Sequence, residues 1–501
     1  MHRKNIKRMV VKQLKKKFPR WRRLNGKKKK ILARQVLKEI YDAYSFDQVI
    51  TVPLHKLTGT PAIGDAKIMT LDDMKRFIAD NNSNILPFIA HSRKKYIADG
   101  ELKAIDKLLD NTIINKLLAP KGFTPCMHKI FPSHLLRAEL LKSLKYPELS
   151  YRKYCPQQLN KLEQKTNRAF VGLPIHKYLS IDHSQLCQFR NGLSFSRMVN
   201  LMVYIIHLFE ESGKLNCKVV VHGADSTELA AICNTYPLAT IDVSGKKVRI
   251  YADLDADCGK RRKKRDKSEY FVGYRMHTLT AINPQTGHSY PLISLIAPGN
   301  HHDDLFLKQL VELGKAIGID LRLITADEAY GDAEQNSEIE KEYNVKVITP
   351  PSEKVKLPAH VEKDTKAVYM NGWCEVPMGY LGKTDEGEHE FGCNALAGEC
   401  IHSSTCDKYR QIPPDAGMFG QIPAGLAGVE EVKDLRKNIE RPFNLLKHRE
   451  GLEPLRVRSQ QGLMAVATFA NMATLLLEIV ATRKTKRKEN RYTQLELKIA
   501  A

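Results

Sequence analysis

Six short runs rich in β-branched and aromatic residues fall between about 216 and 351, and they constrain the fold more than any other feature. They read CKVVVHGAD, KKVRIYADL, FVGYRMHTLTAI, SYPLISLIAP, RLITADEAY and VKVITP, with a helical stretch, DDLFLKQLVELGKAIG, between the fourth and the fifth. Strands that first meander and then alternate with helices predict an α/β arrangement, a mixed sheet with helices on its faces. From about 70 to 215 the apolar residues recur instead at helical spacing, as in LDDMKRFIADN and SQLCQFRNGLSFSRMVNLMVYIIHLFEES, which predicts an all-α region. Residues 352–430 break both patterns with many Gly and Pro and with Cys374, Cys393, Cys400 and Cys406, so an insertion is expected there. Helical spacing resumes at 431 and runs to 482. At 501 residues the chain exceeds what one core usually serves, which predicts more than one folded unit with appended arms.

Charge narrows the partners. Lys and Arg number 80 against 56 Asp and Glu, a formal charge of +24, which favours polyanions and nucleic acid first among them. The segment 1–69 contains KQLKKKFPRWRRLNGKKKK and is expected to be a basic arm, because like charges at that density repel unless phosphates neutralise them. A basic tail covers 483–501. The stretch Gly462 to Ala481 approaches the length of a membrane span, but Asn471, Glu478 and its small residues predict a buried core helix, so no membrane partner is expected. The basic N-terminus is followed by no apolar segment with a cleavage site, and a cytoplasmic chain with reduced thiols is expected.

Phosphodiester chemistry asks a protein for charge stabilisation, which carboxylates provide by holding divalent metals. Asp225 follows the apolar run KVVVHGA and Asp327 closes RLITAD, so each is expected at the end of a strand. In DLRKNIERPFNLLKHREGLE, Arg436, Glu440 and Lys447 recur at spacings of four and seven and would share one helix face, an acid flanked by two phosphate-binding bases. Pro442 predicts a kink there, or a helix starting near Ile439.

These residues resemble the DDE transposases of bacterial insertion sequences. YFVGYRMHTLTAINPQTGHSYPLISLIAPGNHHDD, from Tyr270 to Asp304, resembles the family's Phe-x-Gly-Tyr-Lys-x-His to Pro-Gly-Asn-x-His-Asp stretch; ADEAYGD resembles its second catalytic segment and IERPFNLLK its third. The resemblance spans about 140 to 480. It implies a ribonuclease-H-like fold in which Asp225, Asp327 and Glu440 bind two Mg²⁺ ions, with Mn²⁺ as an alternative, about 4 Å apart. It also implies that Arg436 and Lys447 clamp phosphates, that double-stranded DNA with terminal inverted repeats and target DNA are the partners, and that a homodimer forms at synapsis. Lys433 stands where one branch's signature, Tyr-x2-Arg-x3-Glu-x6-Lys, has tyrosine, and it could contact phosphate in its place. A nuclease on the same core and a non-catalytic DNA-binding descendant are the alternatives.

Other acids and thiols compete for a role. Asp253, Asp255 and Asp257 alternate ahead of a basic run, which predicts a loop over DNA. Asp303 and Asp304, after His302, are expected to cap the following helix. Cys374, Cys393, Cys400 and Cys406, with His389 and His402, carry the donors zinc prefers but no C-x2-C knuckle, so structural Zn²⁺ and reduced thiols in a small core both stand as readings.

Overall fold

The computed structural model describes residues 67–81, 95–118, 130–215, 221–237, 239–241, 247–262, 268–283, 286–350, 358–362, 367–374, 376–394, 406–413, 429–449 and 451–481. Most of the basic arm, the basic tail, Cys400 and His402 lie outside these residues.

The region before 216 is helical, as its spacing predicts. It comprises α1 (Leu71–Asn81), α2 (Gly100–Leu108), α3 (Asn111–Leu118), α4 (Pro132–Lys145), α5 (Tyr151–Tyr154), α6 (Lys165–Val171), α7 (His183–Gly192) and α8 (Phe195–Glu211). Two buried ion pairs knit it together, Arg137 to Asp106 at 2.7 Å and Arg190 to Glu139. Arg137 also donates to the carbonyls of Leu109 and Phe170, which meets the hydrogen-bonding demand that makes a buried charge costly.

The main sheet is built from β1 (Val221–Ala230), β4 (Asp257–Arg262), β5 (Ser268–Ile282), β6 (Ser289–Pro298), β7 (Leu323–Ala326) and β8 (Lys346–Ile348), while β2 (Ala239–Ile241) and β3 (Lys247–Ile250) form a separate ribbon. Strand β5 pairs antiparallel with β1, β4 and β6; β7 runs parallel to β1, and β8 parallel to β7. The order β6-β5-β1-β7-β8, three antiparallel strands followed by two parallel ones, is the ribonuclease-H-like mixed sheet that the resemblance implies. The run KKVRIYADL departs from expectation, because among the described residues its strand β3 pairs with β2 and not with the main sheet.

Helix α9 (Asp304–Ala316) connects β6 to β7, and α10 (Ala333–Tyr343) connects β7 to β8. The insertion folds into β9 (Gly379–Lys383), β10 (His389–Gly392) and β11 (Tyr409–Ile412), with a small core of its own from Val368, Met378, Phe391 and Ile412. After it come α11 (Val429–Arg436), a 3₁₀ turn over Lys437–Ile439, α12 (Glu440–Asn444), a π turn over Leu445–Arg449 and finally α13 (Gln460–Val480). Pro442 thus tightens the backbone before it and widens it after. The Asn438 carbonyl, four residues back, accepts a hydrogen bond from the Ser289 hydroxyl.

Helix α13 is the apolar stretch of membrane-like length, and it is a core helix, with every residue from Ala467 to Leu477 buried. It packs on β6, α8 and α4, so the helical region and the sheet share one continuous core from Ile68 to Leu477. Its start corrects one expectation. Asp253 and Asp255 do not project over a DNA surface: Asp253 is buried and accepts from the Ser459 amide at 3.3 Å, and Asp255 accepts from the Gln460 amide at 3.0 Å. Both carboxylates satisfy amides that the helix leaves open at its N-terminus, where the helix dipole also favours negative charge.

Candidate metal centre

Strands β1 and β7 lie side by side in the register His222 to Ile324, Gly223 to Thr325 and Ala224 to Ala326, so Asp225 and Asp327 occupy the next pair of positions. Strand β1 does not end at Asp225 as expected; it continues to Ala230 against β5 while β7 stops. The two carboxylates therefore meet where the sheet loses a strand, at the carboxyl edge where open α/β sheets bind ligands. Each accepts from the amide that follows it: Asp225 from the Ser226 amide at 2.7 Å and Asp327 from the Glu328 amide at 2.8 Å.

The electrostatics of the pair are uneven. Burial pushes the Asp225 carboxyl up to about 7, and Asp327 and Asp303 add to the rise, while the Ser226 amide and Arg436 oppose it. Asp327 is more open, its side chain 48% exposed, with the Arg436 guanidinium 3.5 Å away. Desolvation together with a second acid is the arrangement that a bound cation relieves.

Side-chain alternation puts Gly223, Asp225, Thr325 and Asp327 on one face of the sheet, and the 429–444 segment covers it. Gly223 makes the close approach possible. A Cβ at that position would stand 2.2 Å from Cδ1 and 2.6 Å from Cγ1 of Ile439. Ile439 therefore seats on the bare backbone, Arg436 reaches Asp327 just before it, and Glu440 follows, exposed.

The expected site residues are gathered unevenly. Asp225, Asp327 and Arg436 come together. Among the described residues no group of three or more His, Cys, Asp or Glu is close enough to hold a metal ion, so Glu440 does not complete a ready set of donors. Lys447 is turned to Glu453 at 3.5 Å, and Lys433 lies in α11. The same finding covers Cys374, Cys393 and Cys406, whose thiols are free, so the described part of the insertion lends zinc no support.

A polar group behind the two aspartates escaped the sequence reading. Asp303 does not cap α9 through its side chain. Both of its oxygens instead accept from Arg275 Nη1, at 2.9 and 2.8 Å. His277 is fully buried, its Nδ1 hydrogen-bonded to the Tyr330 hydroxyl at 3.1 Å and its ring stacked on Phe306 at 4.0 Å. Burial pushes the His277 imidazole down to about 3, so it is neutral. The available signals were spacings: Arg275 and His277 alternate along one strand, and Tyr330 comes three residues after Asp327.

Residues 239–476 match the model of the transposase DDE domain family, a little under half of the chain. Asp327, Arg436 and Glu440 fall inside the match and Asp225 falls before it. No curated protein matches. Among solved structures, the chain is similar to a piggyBac transposase in a synaptic complex with hairpin DNA, determined by cryo-electron microscopy, at 10% identity and a TM-score of 0.27 over 82% of this chain and 84% of that one. That similarity is too loose to carry any detail across.

Proposed function

We propose that this chain, which carries a transposase DDE domain over residues 239–476, binds the terminal inverted repeats of a mobile element and cuts and joins DNA strands with divalent metal. The observation that carries the reading is the side-by-side placement of Asp225 and Asp327, one held near 7 by burial and the other open to solvent. Their all-oxygen chemistry fits Mg²⁺, or Mn²⁺ in its place. Asp225 and Asp327 would hold the metal, with Glu440 as the third donor. Bound metal would activate a water or 3′-hydroxyl and stabilise the leaving oxygen.

The remaining work falls to the chain itself. Arg436 stands at the rim of the pair, where its planar fork can exchange the Asp327 carboxylate for a DNA phosphate. Gly223 and Ile439 set how close the Glu440 segment comes to the sheet. The net charge of +24 supplies the attraction that brings DNA to the surface. Joining two DNA ends calls for two active sites, which a homodimer would provide.

The exposure of Glu440 favours a second reading, a DNA-binding descendant that no longer cuts. The test is cleavage and joining of a DNA fragment bearing the flanking ends of the element, with Mg²⁺, comparing wild type with Glu440→Gln. Activity in the wild type alone, with DNA binding kept in both, supports the three-carboxylate reading. Equal activity places the active site elsewhere. Binding without cleavage in either supports the descendant, and cleavage without joining in the wild type supports a nuclease.

A further inference from the structure

We propose that the Tyr330 hydroxyl is a positioning group that, with Ser226 and His277, holds the two aspartate-bearing strand ends at the spacing a divalent cation needs. The inference rests on the reading of Asp225 and Asp327 as the metal-holding pair.

Three segments meet at this hydroxyl. Ser226 follows Asp225 on β1 and, by alternation, faces the opposite side of the sheet, directly across from His277 on β5. Tyr330 belongs to the 3₁₀ turn Glu328–Tyr330 that Asp327 starts. The Asp327 side chain accepts from the Glu328 amide, and its carbonyl accepts from the Tyr330 amide at 3.0 Å. The turn folds the tyrosine back beneath the sheet, where it is 1% exposed. Its hydroxyl bonds His277 Nδ1 at 3.1 Å, and His277 lies directly across from Ser226, the residue after Asp225. Displacing Asp327 from Asp225 would therefore break a buried hydrogen-bonded junction.

The junction is held from outside as well. The His277 ring is fixed by its stack on Phe306 of α9, and Asn336 of α10 donates to the Tyr330 carbonyl at 3.2 Å. Arg275, two residues before His277 on β5, clamps Asp303 at the start of α9. Packing alone would be served by phenylalanine, since a hydroxyl buried without partners is destabilising. Here the hydroxyl ties the turn after Asp327 to β5, the strand that pairs with β1 beside Asp225. Groups that orient metal ligands typically change metal affinity about 10–100-fold when removed.

The test is Mn²⁺ binding to the full chain without DNA, read by the loss of the free-ion electron paramagnetic resonance signal, for wild type, Tyr330→Phe, Ser226→Ala and Asp225→Asn. The expected result is a Kd at least about tenfold weaker in Tyr330→Phe, with a smaller loss in Ser226→Ala. DNA affinity and far-ultraviolet circular dichroism should stay unchanged in both. A purely structural hydroxyl would lower the melting temperature and leave the Mn²⁺ Kd alone, which overturns the inference while the loss of binding in Asp225→Asn still upholds the metal site. Unaltered Mn²⁺ binding in Asp225→Asn would overturn the underlying reading and this one with it. Should Tyr330→Phe fail to fold, Ser226→Ala decides by the same criterion.

Discussion

Replacing Asp225 by Asn should stabilise the metal-free protein by an amount that grows as pH rises from about 4 and is complete just above 7. The folded state raises this carboxyl from its ordinary 3.8 to about 7, chiefly by burial. The folded protein therefore holds the proton more tightly than the unfolded chain does. The group's contribution to stability is fully present below about pH 4 and is lost as pH rises through about 7. The separation of the two values sets a ceiling of about 4 kcal/mol. Because the carboxylate keeps a side toward solvent, about half of that, ~2 kcal/mol, is the working figure. Asparagine mimics the protonated acid and carries no such cost. We expect Asp225→Asn to melt on the order of 2–3 °C above wild type at pH 8 in the presence of chelator, and within error of it at pH 4.5. Saturating Mg²⁺ should narrow the gap at pH 8, since a ligand that binds only the folded wild type stabilises it alone. A variant no more stable than wild type at pH 8, or equally stabilised at both pH values, would show that the carboxylate is already solvated or paired and would refute the reasoning.

The other predictions concern the elements around the pair. Gly223→Ala should push Ile439 off the sheet and cut strand cleavage at least tenfold while Mn²⁺ still binds the aspartates; adding Ile439→Ala should recover much of the rate, and failure of that rescue would sever the link between the two residues. Asp253→Ala removes an acceptor buried at the start of α13 and should lower the denaturation free energy by about 1–3 kcal/mol, read from the denaturant midpoint, without altering metal binding. DNA affinity should fall steeply as salt rises, and Arg436→Ala should reduce the slope of log K against log[salt] by about one; an unchanged slope would take Arg436 off the phosphate backbone.

What the sequence made legible follows from the range over which each feature is decided. The strand character of the runs before Asp225 and Asp327, over the described residues, and the acid that ends β7 are local properties of side-chain branching and turn chemistry, whereas the continuation of β1 past Asp225 is set by its pairing with β5. The burial of α13 was legible for the same reason, since Asn471 and Glu478 sit within the apolar stretch itself. By contrast, Asp253 and Ser459 are 206 residues apart, and Arg275 and Asp303 are 28 apart on different elements. No periodicity carries such pairings, so the acids were assigned to a DNA-facing loop and a helix cap, the local roles open to them. Gly223 is a similar case, because its need for a bare Cα is set by Ile439, far along the chain.

The exposed position of Glu440 follows from the charge already in place. Around the two strand ends, the carboxylates of Asp225, Asp327 and Asp303 stand against the guanidiniums of Arg275 and Arg436. Burial is the main reason that Asp225 is held near 7; Asp327 and Asp303 add to the rise, and Arg436 opposes it. The Glu440 carboxylate brought beside that pair would add like-charge repulsion, which at close range in a partly desolvated site is worth on the order of several kcal/mol. The segment that carries Glu440 is docked through Ile439 on Gly223 and Arg436 on Asp327. What is needed is positive charge. On the proposed reading, Asp225 and Asp327 would hold a divalent cation, whose positive charge would favour an inward Glu440. A chain that only bound DNA would gain nothing from a carboxylate-rich pocket that repels phosphate, and this electrostatic cost is the strongest physical reason to read the pair as metal-holding.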